Sequence, residues 1–188
     1  MNWTGLLVVL AGFFSGALMF SFWFARLRGI DIRRTGDGNP GAVNAFRAAG
    51  PVIGVLGLLL DFLKGMIPVG AGFWHFHLGG PYLTLLILAP VLGHAFSPFL
   101  RLRGGKGLAV TFGVWSGITL YQVPVFLGAL LILTRFILRL KRDAWCVAVT
   151  MLLLPVFVGL CYRSLPLLAA AVANSVLVIF QHRRELGP

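Results

Sequence analysis

The chain has 188 residues, of which 59% are hydrophobic and only 11% charged, with a mean hydropathy of +0.92. A soluble domain is nearer half apolar and a quarter charged, so these values exclude a soluble protein and describe an integral membrane protein with little room for a separate soluble domain. The 16 Lys and Arg against 5 Asp and Glu give a net charge of +11, but with no soluble platform to present a basic face the balance argues against nucleic acid as a partner and reports membrane topology instead.

Runs long enough to cross roughly 30 Å of hydrocarbon predict an all-α chain of seven transmembrane helices forming one domain, residues 1–188. The first run, 3–24, has no positive segment before it and its charges follow it. That order predicts an uncleaved anchor with the N-terminus outside, not a signal peptide. Next comes the polar segment 33–47, Arg-Arg-Thr-Gly-Asp-Gly-Asn-Pro-Gly-Ala-Val-Asn-Ala-Phe-Arg. Gly36, Gly38 and Gly41 free backbone N–H groups, and Asn39, Asn44 and Arg47 add polar reach, a combination suited to phosphate oxygens. The match to GxGxxG does not read as a dinucleotide fingerprint, because that needs a preceding strand within a βαβ unit.

The second run, 51–73, carries Asp61 and Lys64 at i and i+3. Buried ions in a membrane pair with each other or line a polar cavity; mutual neutralisation on one helix face is the first expectation, with substrate contact as the alternative. The third run, 81–100, has His94 near its end, followed by the bend signal Ser97-Pro98. That histidine either caps and packs the helix end or belongs to the site that begins seven residues later. The loop it leads into holds Arg101, Arg103 and Lys106 among Gly104, Gly105 and Gly107. It is not a P-loop, since no Ser or Thr follows the lysine. Three crowded cations there are relieved by bound anions.

The fourth and fifth runs, 108–120 and 123–138, are short and meet at Tyr121-Gln122-Val123-Pro124. The sixth and seventh are 144–160 and 164–180. Cys146 and Cys161, 15 residues apart, stand roughly 22 Å apart along a helix, too far for a disulfide; both are expected as buried thiols. No CxxC and no paired histidine spacing is present, so no metal site is predicted. Beyond the last run lies the tail Gln181-His182-Arg183-Arg184-Glu185.

Seven crossings place Arg26, Arg28, Arg33, Arg34, Arg47, Arg101, Arg103 and Lys106 on one side. Arg135, Arg139, Lys141, Arg142, Arg183 and Arg184 join them, against Arg163 alone on the other. Basic loops face the cytoplasm, so the two glycine-rich segments and the histidine tail share that side and can build one pocket. Its ligand is then half phosphate and half lipid. The bland alternative is that the glycines serve only as turns.

Together these segments resemble the bacterial acyl-phosphate:glycerol-3-phosphate acyltransferase family, over most of the chain. Gly36, Gly38, Asn39, Gly41, Ala42, Asn44 and Arg47 match its GSGNxGATNxxR motif. Asp61, Lys64 and Gly65 match a DxxKG element. His94, Phe96, Phe99, Leu100, Arg103, Gly104, Gly105, Lys106 and Gly107 match HxFPxFLxFRGGKG. The chain departs from the family at Asp37, where the motif has serine, and at Val43, where it has threonine. Pro98 comes one place late. The stretch 135–141 lacks the hydroxyls of an RYVSLSS-like element, and the HRxNI-type tail keeps His182 and Arg183 but has Glu185 in place of asparagine.

The resemblance implies a bacterial inner-membrane enzyme with no cofactor, moving an acyl group from acyl-phosphate to glycerol 3-phosphate. It implies that Arg47, Arg103 and Lys106 clamp two phosphates, while Asn39 and the loop amides orient them. The implied binding set comprises Gly36, Gly38, Asn39, Gly41, Asn44, Arg47, His94, Arg103, Gly104, Gly105, Gly107 and Arg183, with Asp37, Lys106 and His182 at the chemistry. The base is His182 or a phosphate oxygen of the substrate; Asp37, among cations, is expected to titrate low and be a weak base. The alternative is a catalytically weakened or repurposed paralogue that binds a phospholipid precursor or regulates a partner. A transporter is disfavoured by the lack of internal repeats.

Overall fold

The computed structural model describes residues 3–187, which are helical throughout apart from turns and loops, with no strand among them. In chain order the helices are α1 Trp3–Ala17, α2 Phe20–Leu27, α3 Ala42–Ala49, α4 Pro51–Gly70, α5 Gly80–Ala95, α6 Leu108–Thr119, α7 Gln122–Ile132, α8 Asp143–Tyr162 and α9 Leu165–Leu186. Five-residue π turns extend α4 to His75 and α7 to Ile137.

Four helical runs, Pro51–His75, Gly80–Leu100, Asp143–Tyr162 and Leu165–Leu186, are long and apolar enough to cross a bilayer. The first predicted run is broken into α1 and α2, which meet at 41° and qualify as a fifth span when taken together. The two runs expected to be short are short: Leu108–Thr119 and Gln122–Ile137. Segment 42–49, read from sequence as loop, forms α3 instead, starting after the extended Gly41. Leu7, Val52, Leu152, Val156 and Leu160 are exposed on the outside of the bundle, the distribution expected where lipid is the solvent.

Helix pairs α1–α5, α4–α6 and α8–α9 make the most extensive packing. Small residues set the first two distances. A Cβ on Gly16 would lie 2.0 Å from the Pro90 carbonyl oxygen, and one on Gly93 2.0 Å from that of Phe13. On the other pair, a Cβ on Gly113 would lie 2.0 Å from the Phe62 carbonyl oxygen. Backbones this close gain dispersion and need no hydrophobic drive, as membrane helix packing requires.

The main core gathers Leu86, Ile87, Val110, Val114, Trp115, Met151 and Leu154. Asn174 ties it together: its Oδ1 accepts from Trp115 Nε1 at 3.0 Å and its Nδ2 donates to Thr111 Oγ1 at 3.0 Å. A smaller core of Met19, Phe22, Ile32, Ala45, Ile53 and Leu100 seats α3 and the loop before it against α2 and α4. Cys146 is buried but Cys161 is exposed, on the outer side of the last turn of α8, so only one of the two expected buried thiols is buried; neither is in a disulfide.

Asp61 and Lys64 form the expected pair, 2.7 Å apart and almost fully buried. Lys64 does more than neutralise its partner. Its Nζ also donates to the carbonyl oxygen of Leu18 at the break between α1 and α2, one of the carbonyls a helix end leaves without an internal partner.

Candidate functional site

The first glycine-rich loop is folded around Asp37. Its Oδ1 accepts from the backbone N–H of Asn39 at 3.1 Å and from Asn44 Nδ2 at 2.7 Å; the same Asn44 amide donates to the Asn39 carbonyl oxygen at 2.9 Å. Gly36 and Gly38 have φ of +56° and +75°, the left-handed region where a side chain is strained. A Cβ on Gly36 would also lie 2.6 Å from Asn44 Oδ1 and 3.0 Å from Arg47 Nη1. This glycine lets the loop close over two side chains presented by α3.

The second loop is pinned to the end of α5. The N–H groups of Gly104 and Gly105 donate to the carbonyl oxygens of Ala95 and His94, at 3.1 and 2.9 Å. A Cβ on Gly104 would lie 1.8 Å from the His94 carbonyl oxygen, and one on Gly105 would lie 2.2 Å from His94 Nε2. His94 is thus a post against which the loop packs, and it also lines the cavity below. Gly107, at φ +83°, turns the chain into α6.

The two loops meet at Lys106. Its Nζ lies 2.5 Å from Asp37 Oδ2 and also contacts Glu185 Oε1, from the last turn of α9. Burial alone would raise the Asp37 carboxyl, but Lys106, the Asn39 N–H and the Asn44 amide outweigh it and bring its pKa down to about 2. The low titration expected from sequence is therefore present, with Lys106 as the cation responsible. One turn earlier on α9, His182 stands beside them; its Nδ1 lies 2.8 Å from the Val178 carbonyl oxygen. That contact requires Nδ1 to donate, which in the neutral imidazole leaves Nε2 with its lone pair.

Two hollows join at this cluster. The larger, about 1060 Å³, has a polar head formed by Asp37, Asn39, Gly41, Arg47, His94, Lys106, Gly107, His182 and Glu185. Its walls are apolar: Val55, Leu58, Leu59 and Phe62 of α4, Leu108 and Phe112 of α6, Leu131, Ile132 and Phe136 of α7 and its extension, and Val147 of α8. The second hollow, about 960 Å³, is polar and is lined by Gly38, Arg103, Gly104, Gly105, Arg183 and Arg184, sharing Asp37, Asn39, Lys106 and Glu185 with the first.

Most of the residues anticipated from sequence thus converge. Gly36 and Asn44 line neither hollow and act on the loop from behind. Arg183 lines the polar hollow but is folded back, donating to the Phe180 carbonyl oxygen at 2.6 Å with its guanidinium 3.7 Å from that ring. Sequence reasoning missed several contributors, Arg184 of the polar hollow among them. Glu185 had stood out only as a departure from a motif. Arg33, held by Asp31 at 2.8 Å, lines the polar hollow, and Arg135 and Asp143 line the apolar one. Among the described residues no cluster of His, Cys, Asp and Glu has the geometry to hold a metal.

The family profile described as glycerol-3-phosphate acyltransferase matches residues 6–187. The chain is 37% identical over 186 residues to glycerol-3-phosphate acyltransferase 1 of Thermotoga maritima, covering 93% of this chain and 92% of that one. It is 34% identical over 188 residues to the glycerol-3-phosphate acyltransferase of Aquifex aeolicus, covering 97% and 93%. The crystal structure of PlsY (YgiH), an integral membrane glycerol 3-phosphate acyltransferase, in its glycerol 3-phosphate form superposes with a TM-score of 0.89 at 31% identity, over 97% of this chain and 90% of that one. Its lysophosphatidic acid form gives 0.87 at 30% identity, with the same coverage. By profile, sequence and fold, the chain belongs to the glycerol-3-phosphate acyltransferase family.

Proposed function

We propose that this protein transfers an acyl group from acyl-phosphate to the first hydroxyl of glycerol 3-phosphate, releasing lysophosphatidate and phosphate. The observation that carries this reading is the junction at Lys106, where an apolar channel wide enough for an acyl chain meets a hollow ringed by arginines. Two phosphates and one hydrocarbon chain are what that shape and charge accommodate.

In this reading the acyl chain lies between α4, α6 and α7, with its phosphate at Arg47 and Lys106. Glycerol 3-phosphate enters the polar hollow, its phosphate facing Arg103 and the other side of Lys106, since the Gly104 and Gly105 N–H groups are spent on the carbonyls of α5. The hydroxyl oxygen attacks the acyl carbonyl; the new C–O bond forms as the bond from carbonyl carbon to phosphate oxygen breaks. Phosphate is a good leaving group, so no enzyme nucleophile is needed. The hydroxyl proton passes to His182 Nε2 or to a phosphate oxygen of the substrate. Asp37, titrating at about 2, is too weak a base for that role and serves as a fixed anion that organises the loop. Positioning and charge neutralisation supply the rate.

The same reading makes the chain a single-domain protein of a bacterial inner membrane, crossing it seven times with the N-terminus outside. The bent α1–α2 pair and the two short helices count as crossings, and the basic side chains of the loops favour placing the site at the cytoplasmic face.

The test is purified protein given acyl-phosphate and glycerol 3-phosphate, with lysophosphatidate and phosphate appearing in equal amounts. No product above a Lys106→Ala control, with both substrates shown to bind, would refute it.

A further inference from the structure

Among the described residues Lys106 is the one cation shared by both hollows, and it is held by two carboxylates of unequal standing. Asp37 is anchored: besides Lys106 it accepts from the Asn39 N–H and the Asn44 amide. Glu185 is not. Its carboxylate touches Lys106, and among the described residues that side chain has no other hydrogen-bond or ion-pair partner. It stands at the end of α9 with more than a third of its side chain exposed, so a released carboxylate is hydrated by solvent at little cost.

The neighbouring cations are differently disposed. Arg33 is held by both oxygens of Asp31, and Arg183 lies over Phe180. An incoming phosphate therefore finds Lys106 central and already engaged. It cannot share that ammonium comfortably with two carboxylates, because like charges in contact oppose one another. One carboxylate has to leave, and only Glu185 is free to do so.

We propose that Glu185 sets the affinity of the site: its carboxylate holds on Lys106 the place that a substrate phosphate takes, and phosphate binds by displacing it. The inference rests on the reading of the hollows as phosphate sites. It goes beyond that reading in making Glu185 a competitor of the substrate and not a ligand for it.

The experiment measures binding of inorganic phosphate and of glycerol 3-phosphate to the full chain in detergent by calorimetry. Glu185→Gln should bind both about fivefold more tightly, the scale of one partly exposed ion pair. The KM for glycerol 3-phosphate should fall by a similar factor with no rise in kcat. Glu185→Asp keeps the charge but shortens the reach, and it too should bind more tightly than wild type. If Glu185→Gln binds phosphate equally or more weakly, Glu185 supports Lys106 and does not compete for it, and the proposal fails. If only Glu185→Gln tightens while Glu185→Asp matches wild type, the charge and not the contact sets affinity, and the proposal again fails. A wild-type chain that binds neither ligand overturns the phosphate reading together with this inference; unchanged affinities beside normal wild-type binding overturn this inference alone.

Discussion

The Lys64 ammonium and the Leu18 carbonyl oxygen are hydrogen-bonded across 46 residues of sequence, so one side chain of α4 holds the bend between α1 and α2. Because Asp61 leans on the same ammonium, the three groups form a unit. Lys64→Met should leave a carboxylate buried without a cation and a carbonyl without a donor, at a cost of about 3–5 kcal/mol. Adding Asp61→Asn to that variant should recover a substantial part of the loss. Thermal unfolding of the detergent-solubilised proteins checks both, and a double variant no better than the single would show that the pairing is not what matters.

Asn44 acts on the site without lining it. Its amide closes Asp37 onto Asn39, and it is 2% exposed. Asn44→Ala strips two hydrogen bonds from a buried loop, so stability should fall by about 1–3 kcal/mol. The KM for glycerol 3-phosphate should rise more than kcat falls, since the loop that presents Asn39 loosens while His182 stays in place. Steady-state kinetics separate the two parameters.

Asp37 gives a pH prediction with a definite sign. Its carboxyl titrates at about 2 in the folded chain against an ordinary 3.8. A depressed carboxylate contributes stability above its unfolded value and loses that contribution as pH falls through the folded one. The Asp37 contribution is therefore constant from pH 5 to 8 and disappears between about pH 4 and pH 2. Asp37→Asn should flatten acid unfolding in that window while leaving the acid limb of kcat/KM near neutrality where it was. An acid limb that moves with this variant would make Asp37 a catalytic base.

Serine at position 37 should lower the rate by roughly tenfold, since its single oxygen cannot replace a carboxylate that holds Lys106, the Asn39 N–H and Asn44 at once. A faster Asp37→Ser enzyme would mean instead that the carboxylate only encumbers Lys106.

Gly104 has no room for a methyl group: a Cβ would sit 1.8 Å from the His94 carbonyl oxygen, which belongs to the rigid end of α5. Gly104→Ala must therefore push the loop away from that helix and carry Lys106 with it. Activity should fall at least tenfold, because small misplacements of a binding group are costly to rate. His94→Ala, which removes a packing post and leaves the backbone in place, should cost stability more than rate. Comparing melting temperature with kcat for the two variants tests this division.

The long apolar runs announced most of the helices, because hydrocarbon thickness imposes a length on any span. The break at Leu18-Met19 gave no such notice. Ser15-Gly16 weakens the helix just before it without fixing a break, and the Lys64 ammonium of α4 that takes the freed Leu18 carbonyl is visible only once the helices pack. Helix α3 escaped for a different reason: eight residues containing Asn44 and Arg47 are too few and too polar for a hydropathy signal. In the site, Arg47 and Lys106 could be named because glycines and cations mark them out locally, while His182 came only with the family resemblance. Glu185 could not, since its meaning comes from meeting Lys106 across 79 residues of chain.

The contacts of Gly16 with Pro90, Gly93 with Phe13 and Gly113 with Phe62 bear on inhibitor design. Two helix pairs are fused backbone to backbone, so a compound has no crevice there to widen and no side chain to trim. The wall formed by Leu131, Ile132 and Phe136 has no such seam behind it. A ligand grown from the phosphate end should find its tolerance for bulk on that wall, and escape mutations should collect there while the glycines stay fixed.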